Sequence, residues 1–310
     1  MKNSKKTFLK LLIFIGAISL FILIFNYVLM DNYYKSYIDN INNINVKIKN
    51  SKYYFVGSSR VQSSINPENV EKIFTKGKIA NLGMSSSLFI SNCILTSSII
   101  NSNKGVYFIE LSPDFIEFSK GLILFTEERS ITLLKELDDL FQNENRYNAI
   151  LYKLKLLKKY YSNQFSIQGK LKHLFIESKD TIVGYKVHKK ISKINTVSSF
   201  LTYDEIYNNK TELRSISYNN YINYLMKLGK KHDSKIIFFL PVTSKTPEEK
   251  KIIISVFNSL HDSLKISFSK EFLKKISKSD YLYDRNHLNS EGARVYSKWL
   301  GEYLVSMFSD

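Results

Sequence analysis

Cysteine, proline and glycine are scarce in this chain, and each shortage excludes a class of protein. One cysteine among 310 residues excludes a disulfide framework and a multi-cysteine metal site. Four prolines and eleven glycines exclude a collagen-like, proline-rich or linker-dominated chain. Acidic residues are also few, 28 against 45 basic ones, which gives a net charge of +17. This excess predicts an anionic partner, but charge alone leaves open nucleic acid, lipid and polysaccharide.

Apolar residues are abundant: 44% of the chain is hydrophobic and 14% is aromatic. A disordered chain has low hydrophobicity, so this composition excludes one. The length allows one large domain or two small ones, with enough residues to bury a substantial core. The single cysteine, Cys93, is expected to be a small buried apolar side chain in that core.

One long apolar run lies near the amino terminus. Residues 11–30, LLIFIGAISLFILIFNYVLM, contain no charged residue, and at ~1.5 Å per residue a helix of this length spans the ~30 Å hydrocarbon core of a membrane. A cleaved signal peptide is the alternative, but its apolar region is usually ~7–15 residues long and ends in small residues. The sequence after Val28 offers no such cleavage site. We therefore interpret residues 11–30 as an uncleaved transmembrane signal anchor.

Basic residues on one side of this run predict its orientation. Four lysines and no acidic residue lie in residues 1–10, and the positive-inside rule places such a segment in the cytoplasm. The chain is then a single-pass protein of the cytoplasmic (inner) membrane, with residues 31–310 outside and a net charge of +13 on that part. An exported domain does not meet chromosomal DNA, so no nucleic acid partner is expected. The expected partners are the membrane, through the amino-terminal helix, and an anionic envelope polymer.

After a polar, Asn-rich juxtamembrane stalk at 31–51, residues 52–310 have the pattern of an α/β domain. Short apolar runs alternate with helical patterns, which predicts a mostly parallel sheet. The predicted strands cover 53–57, 79–83, 106–111, 235–240 and 266–268. A helix is predicted over 85–100, and further helices are predicted to start after the N-cap residues Asn66, Thr246 and Asn289.

A long insertion, about residues 119–230, separates the third and fourth predicted strands and is mainly helical in pattern. Within it, residues 151–200 hold eleven lysines against two acidic residues. Two interpretations fit this charge. It belongs to a solvated helical face, or to a basic lid or rim that faces an anionic polymer or lipid headgroups.

Three short segments carry residues able to do chemistry. Residues 57–60, Gly-Ser-Ser-Arg, follow the first predicted strand, at the sheet edge where open α/β folds place their sites. Gly83 follows the second strand, and either segment alone is typical of an ordinary turn. Asp284 and His287 are three residues apart, so the carboxylate can hold the imidazole in the tautomer that accepts a hydroxyl proton. The other histidines lie in polar or Lys-rich surroundings and are expected at the surface: His173, His188, His232 and His261.

Taken together, the order and spacing of these segments resemble the SGNH/GDSL hydrolase superfamily. In that family a Gly-Asp-Ser block follows the first strand, a Gly block follows the second, and an Asp-x-x-His block precedes the last helix. The resemblance implies Ser59 as nucleophile, His287 as general base and Asp284 as its orienting carboxylate. It also implies an oxyanion hole formed by the backbone N–H groups of Ser59 and Gly83. The implied fold is a three-layer, flavodoxin-type parallel sheet with a helical insertion, and no cofactor or metal is expected.

Two departures from the family pattern bear on activity. Ser58 stands where the family usually has Asp, as in its Gly-Ser-Ser branches. The third block normally carries Gly-x-Asn-Asp, whose Asn is an oxyanion donor, whereas residues 110–114 here are Glu-Leu-Ser-Pro-Asp. Losing one such donor costs about 10²–10³ in rate. Three outcomes follow: Ser112 or another group replaces the missing oxyanion donor, the enzyme is slow or specialised, or the site has decayed. For Arg60, two roles remain open, binding an anionic group of the substrate and pairing with a surface carboxylate.

An anchor, an exported domain and a Gly-Ser-Ser site together resemble the envelope-modifying branches of this superfamily. Those branches include proteins similar to alginate O-acetylation and teichoic-acid D-alanylation factors, which work beside a multi-span membrane acyltransferase. The resemblance implies a serine esterase or O-acyltransferase acting on acyl esters of a cell-envelope glycan. The alternative is a membrane-anchored binding or assembly protein with a decayed site. A nucleic-acid binder is disfavoured, because no binding motif is present and the compartment is wrong.

Overall fold

The structure is a computed structural model of the chain. It describes residues 10, 13–14, 16–21, 43–113, 122, 150–151, 153–155, 158, 183–188, 199–208 and 216–309. Residues 44–160 and 181–310 form one compact unit, which contains the sheet and all of the predicted site residues. Residues 1–43 and 161–180 form a second unit.

The centre of the larger unit is a five-stranded sheet in which every pairing is parallel. Its strands are β1 (Tyr53–Gly57), β2 (Ile79–Gly83), β3 (Val106–Glu110), β4 (Lys235–Phe239) and β5 (Lys265–Ile266). The spatial order is β2-β1-β3-β4-β5, which is the order of flavodoxin-like doubly wound sheets. The predicted α/β class with a parallel sheet is therefore confirmed. The last strand is shorter than predicted and begins one residue earlier.

Eight α-helices of this unit have both bounds assigned after β1. They are α1 (Ser59–Ser64), α2 (Pro67–Glu71), α3 (Phe89–Ile100), α4 (Tyr203–Tyr207), α5 (Ile216–Lys231), α6 (Pro247–Ser259), α7 (Lys270–Ile276) and α8 (Ser290–Met307). The predicted N-caps Asn66, Thr246 and Asn289 are confirmed, because each side chain accepts a backbone N–H in the first turn of its helix. Helix α3 begins later than the predicted residue 85, because Ser86 has a φ of 58°, which a right-handed helix does not contain.

Helices cover both faces of the sheet. On one face, Phe238 of β4 packs with its ring centroid 6.3 Å from that of Phe89 in α3. On the other face, Tyr53 of β1 packs 4.8 Å from Phe74, which follows α2, and 5.5 Å from Phe308, which caps α8. Strands covered on both faces become continuous apolar runs, and this is why the sequence showed short hydrophobic blocks instead of alternation.

The core also extends into residues that the sequence assigns to the stalk. Residues 44–50 are helical, and Ile44 and Ile48 are buried in the same hydrophobic cluster as the sheet. The hydroxyl of Tyr54 in β1 donates to the carbonyls of Ile48 and Ser51, at 3.1 and 2.5 Å. Cys93 in α3 is fully buried, as predicted.

Some sequence predictions fall outside the described residues. The predicted anchor at 11–30 is described only at 13–14 and 16–21, and most of the insertion at 119–230, with its lysine-rich stretch, is outside the described ranges. Among the residues that are described, no helix is both long enough and apolar enough to cross a membrane.

Candidate active site

The three residues of the predicted triad meet at the carboxyl edge of the sheet. Ser59 is the first residue of α1 and is separated from the end of β1 by Ser58 alone, and Asp284 and His287 lie in the turn before α8. His287 Nε2 is 2.7 Å from Ser59 Oγ. His287 Nδ1 is 2.7 and 2.9 Å from the two carboxylate oxygens of Asp284. Residues separated by 228 positions in the sequence thus form one continuous relay of hydrogen bonds.

The Asp284 carboxylate determines the roles of the two imidazole nitrogens of His287. An ionised carboxylate only accepts hydrogen bonds, so Nδ1 carries the proton that it donates to Asp284. In the neutral imidazole Nε2 is then an acceptor, and the hydroxyl of Ser59 donates to it. This tautomer is the one in which His287 can take the proton of Ser59.

Local backbone geometry holds the acid and the base together. Asp284 Oδ1 accepts the backbone N–H groups of Asn286 and His287, each at 3.0 Å, and the Tyr283 N–H donates to the His287 carbonyl at 2.8 Å. A short acidic side chain that binds its own following amides is what makes Asp favourable in tight turns. Burial raises the pKa of Asp284, but the bonds from Asn286 and His287 outweigh it and hold this pKa below its usual value.

Asn289 fixes the start of α8 two residues after the base. Its Oδ1 accepts the N–H groups of Glu291 and Gly292 at 3.0 Å, and its Nδ2 donates to the Asp280 carbonyl at 2.6 Å. The N-cap is therefore tied both to the helix that it begins and to the segment before the Asp–His turn, and His287 is fixed between two anchored points.

A carboxylate from β3 holds the nucleophile turn from beneath. Glu110 ends β3 and is fully buried. Its Oε2 accepts the backbone N–H of Ser58, and its Oε1 accepts the Ser58 hydroxyl at 3.0 Å. Ser58 in turn is the N-cap of α1, because its Oγ accepts the backbone N–H of Arg60 at 3.2 Å. Among the described residues none accepts the N–H of Ser59, so this amide remains available to a substrate oxygen.

Arg60 points away from the site into a buried ion network. Its Nε donates to Glu110 Oε1 at 2.9 Å, and its Nη1 donates to Glu249 Oε1 at 2.5 Å and to the Thr243 carbonyl at 3.1 Å. Burial lowers the pKa of Arg60, but the two carboxylates outweigh it and raise the pKa above its ordinary value, which keeps the cation. Of the two roles that the sequence left open for Arg60, the structure shows the pairing with carboxylates, but both acidic partners are buried and not at the surface.

Gly83 lies against α1 and its amide is occupied. A Cβ at this position would come 2.7 Å from the Cα of Gln62, so only glycine permits this approach of β2 to the helix. The Gly83 N–H donates to Asn81 Oδ1 at 2.8 Å. The oxyanion role of Gly83 stays a prediction, and it requires the amide to exchange Asn81 for the substrate oxygen.

The structure places Ser112 in the core and not beside the triad. Ser112 is fully buried, and its carbonyl accepts the Tyr218 hydroxyl at 2.6 Å. Asn92 of α3 donates to the Glu110 carbonyl at 3.2 Å and to Ser112 Oγ at 3.4 Å, and it accepts the Ser87 hydroxyl at 2.7 Å. Ser112 is therefore part of a buried link between α3 and β3, which does not support its predicted auxiliary role.

Residues 183–188, here called the crossing segment, run over this edge of the sheet. The Gly184 N–H donates to the Gly83 carbonyl at 3.0 Å, and the Lys186 N–H donates to the Gln62 carbonyl at 2.8 Å. At its far end, the carbonyl of His188 accepts the N–H of Ser290 at 2.8 Å. The segment therefore connects the end of β2, the back of the nucleophile helix and the start of α8.

His188 is not the surface residue that the sequence predicted. Its ring stacks on Tyr283 at 4.2 Å between centroids and lies 6.1 Å from the ring of His287. Burial is the main cause of its lowered pKa, and the neighbouring His287 and Lys186 lower it further. A second imidazole with a lowered pKa thus borders His287. No signal in its Lys-rich sequence context pointed to this position.

Among the residues that the structure describes, no group of His, Cys, Asp and Glu is arranged to hold a metal ion. The triad itself needs none for acyl transfer. Sequence reasoning found Ser59, Asp284 and His287, but it missed the buried partners Glu110 and Glu249.

Comparison with protein-family models, with curated proteins and with solved structures gives no match to this chain. Membership of the SGNH/GDSL superfamily therefore stays a prediction from the three motifs.

Proposed function

We propose that this chain is an SGNH-type serine esterase or O-acyltransferase. The observation that carries this proposal is the relay from Asp284 through His287 to Ser59, with both hydrogen bonds at 2.7 Å. A nucleophile, a base and an orienting acid within bonding distance are the diagnostic arrangement of covalent acyl transfer. The doubly wound strand order and the position of the triad at the carboxyl edge of the sheet support the same class of enzyme.

In the first step, Ser59 Oγ attacks the carbonyl carbon of an acyl ester while His287 Nε2 takes its proton. The tetrahedral intermediate carries its negative charge on the former carbonyl oxygen, and the N–H of Ser59, which has no acceptor among the described residues, is available to stabilise it. Collapse breaks the ester bond, the leaving alcohol takes the proton from His287, and the acyl group remains on Ser59. Asp284 stabilises the imidazolium and keeps its orientation throughout.

In the second step, a water molecule or a sugar hydroxyl loses its proton to His287 and attacks the acyl group on Ser59. Water makes the reaction a hydrolysis, and a sugar makes it an acyl transfer. The predicted anchor and the motif resemblance support a glycan of the cell envelope as substrate, with a multi-span membrane acyltransferase as partner. The anchor also assigns the chain to the inner membrane, with this domain outside the cytoplasm.

The test is covalent labelling of the full-length protein in detergent with a serine-directed fluorophosphonate. Ser59→Ala should abolish labelling, and a tryptic peptide containing Ser59 should carry the probe in the wild type. Ser63→Ala is the matched control, because Ser63 lies in the same helix and its hydroxyl donates to the Arg60 carbonyl, away from the triad. Equal labelling of wild type and Ser59→Ala would show that Ser59 is not the nucleophile.

A decayed binding or assembly protein is the second candidate. Two observations favour it: residues 110–114 contain no Asn, and the Gly83 amide is bound to Asn81. A decayed site predicts no labelling of Ser59 at any pH and retained binding of an anionic glycan. Labelling that depends on both Ser59 and His287 would exclude this candidate.

A further inference from the structure

One buried carboxylate near the triad has no role in the relay itself. Glu110 is fully buried, yet both of its oxygens are used by the turn that presents Ser59. An isolated buried carboxylate is costly unless it is paired and hydrogen-bonded. Arg60 supplies the pairing, and the Ser58 amide and hydroxyl supply the hydrogen bonds. The close approach of Glu110 requires Gly57, since a Cβ there would come 2.5 Å from Glu110 Oε2.

The same network reaches the turn that carries the base. Arg60 donates to the Thr243 carbonyl at 3.1 Å, and the Thr243 hydroxyl donates to the Asn286 carbonyl at 2.6 Å. Asn286 is the residue before His287, and its own N–H is held by Asp284. Three buried hydrogen bonds therefore join the nucleophile turn to the acid–base turn, from Glu110 to Arg60, from Arg60 to Thr243 and from Thr243 to Asn286. All four residues of this path are at most 7% exposed.

The bonds of Glu110 also select which amide stays free. The N–H before Ser59 is taken by Glu110, and the N–H after it is taken by Ser58 Oγ, which Glu110 orients. The amide of Ser59 itself is left without an acceptor among the described residues. The Glu110 carboxylate thus fixes the position of the Ser58 hydroxyl, and the N–H of Ser59 is the one amide of this turn that it leaves for another acceptor.

The geometry points to Glu110 as the positioning residue of the nucleophile: its carboxylate fixes the turn at Ser58–Ser59, and through Arg60 and Thr243 it sets the distance from that turn to His287. This inference rests on the proposed function, because it assigns Glu110 a part in the reactivity of Ser59. The inference also gives residues 110–114 a structural role, since the Glu110 carboxylate at the end of β3 acts through the nucleophile turn and does not touch the substrate.

The test compares Glu110→Gln with Glu249→Gln in the full-length protein. Each variant removes one negative charge from Arg60, and both sites are buried, so both should lower the melting temperature. Only Glu110 touches the nucleophile turn. In phosphonate labelling, Glu110→Gln should lower the rate at saturating probe about 10²-fold, the scale of a 1 Å misplacement. Probe affinity should not change, and Glu249→Gln should keep most of the wild-type rate.

The pH profile separates positioning from damage to the base. Glu110 does not contact Asp284 or His287, so the midpoint of the labelling rate against pH should be the same in Glu110→Gln and wild type. If Glu110→Gln does not fold, Ser58→Ala removes the hydroxyl bond to Glu110 together with the N-cap bond to the Arg60 amide. It should lower the labelling rate, with a modest fall in melting temperature from the missing cap. A wild-type labelling rate in Glu110→Gln or in Ser58→Ala would overturn this inference, and so would equal losses of rate in Glu110→Gln and Glu249→Gln. Neither result would contradict the proposed function. Absence of Ser59 labelling in the wild type would overturn the proposed function and the inference with it.

Discussion

A serine hydroxyl is a weak nucleophile until a base accepts its proton. In the proposed mechanism the base for Ser59 is His287 Nε2, which lies 2.7 Å from Ser59 Oγ, and a carboxylate three residues earlier in the chain orients it. The contact between Asp284 and His287 was predictable, because side chains three positions apart can meet within a single turn in any fold. Glu110 and Glu249 were not, because they lie 50 and 189 positions from Arg60 and only the packing of β3 and α6 brings them to it.

Asp284→Asn keeps the size of the side chain and removes its charge. The amide can no longer select the tautomer with a proton on Nδ1, so we expect the acylation rate of Ser59 to fall by about 10⁴-fold. A time course of labelling with the phosphonate probe, quenched at successive times, measures this rate. Asp280→Asn is the control, because Asp280 is exposed on the 3₁₀ turn before the site. Equal rates in wild type and Asp284→Asn would remove Asp284 from the triad.

Asp284 should also make stability depend on acid. Its pKa is lowered from an ordinary value of 3.8, so folding favours the ionised form. The stability that it contributes is complete above pH 3.8 and is lost as the pH falls through the lower folded value. Urea unfolding from about pH 5 to about pH 2 measures the slope. We expect a shallower fall in the unfolding free energy for Asp284→Asn, and an identical slope would contradict the assigned pKa direction.

Arg60→Met should destabilise the fold through the charges that it leaves behind. Glu110 and Glu249 would remain buried without their cation, and removing one partner of a buried ion pair costs about 3–5 kcal/mol. Urea denaturation gives the change in unfolding free energy. Arg294→Ala is the control: Arg294 pairs with Glu291 on the surface of α8, and we expect little change there. A loss no larger than that of Arg294→Ala would mean that the network does not stabilise the native state.

At the scale of elements, the strands were predicted to within one or two residues at each end. Their sequences are short apolar blocks flanked by glycine or lysine, and burial on both faces of a parallel sheet produces such blocks. The predicted start of α3 at residue 85 was wrong, because Ser86 adopts a left-handed φ of 58°, which a right-handed helix does not contain. That conformation follows from the bonds that the loop makes to Gln62 and Asn92, which lie on two different helices.

Gly83→Ala tests the contact between β2 and α1. The added Cβ would lie 2.7 Å from the Cα of Gln62, which is backbone and cannot rotate away. We expect a loss of about 1–3 kcal/mol of unfolding free energy from this overpacking, together with slower labelling of Ser59 because α1 shifts. Gly77→Ala is the matched control, since the nearest atom to its Cβ is a Tyr53 ring carbon at 3.0 Å. Equal stability of the two variants would contradict the close approach.

At the scale of the whole molecule, the net charge of +17 is concentrated in two parts of the sequence. The proposed orientation uses the four lysines of residues 1–10, and nine of the remaining positive charges are the net charge of residues 151–200. The crossing segment belongs to that basic stretch and runs over the site edge, between Gly83 and Ser290. This placement is compatible with a basic rim at an anionic envelope surface, the sharper of the two interpretations of the insertion.

Topology is the prediction that belongs to the whole chain. A reporter enzyme that is active only outside the cytoplasm, fused after Asp310, should be active in cells. Replacing the four lysines of residues 1–10 with glutamates should reduce this activity, because the positive-inside rule then no longer holds the amino terminus in the cytoplasm. A fusion that is active only in the cytoplasm would contradict the anchor and the envelope substrate together.

The sequence by itself determined the α/β class and the helix caps, and it predicted Ser59, Asp284 and His287 as the proposed triad, because each depends on short-range patterns of polarity or on motif spacing. Only the tertiary structure decided that Arg60 lies buried between two carboxylates, that Ser112 faces the core, and that His188 stacks beside the base. These facts depend on contacts between segments far apart in the chain. Parallel pairing of β1 with β3, and of β3 with β4, places Glu110 under Ser58 and Thr243 beside Asn286, and no local pattern encodes that juxtaposition.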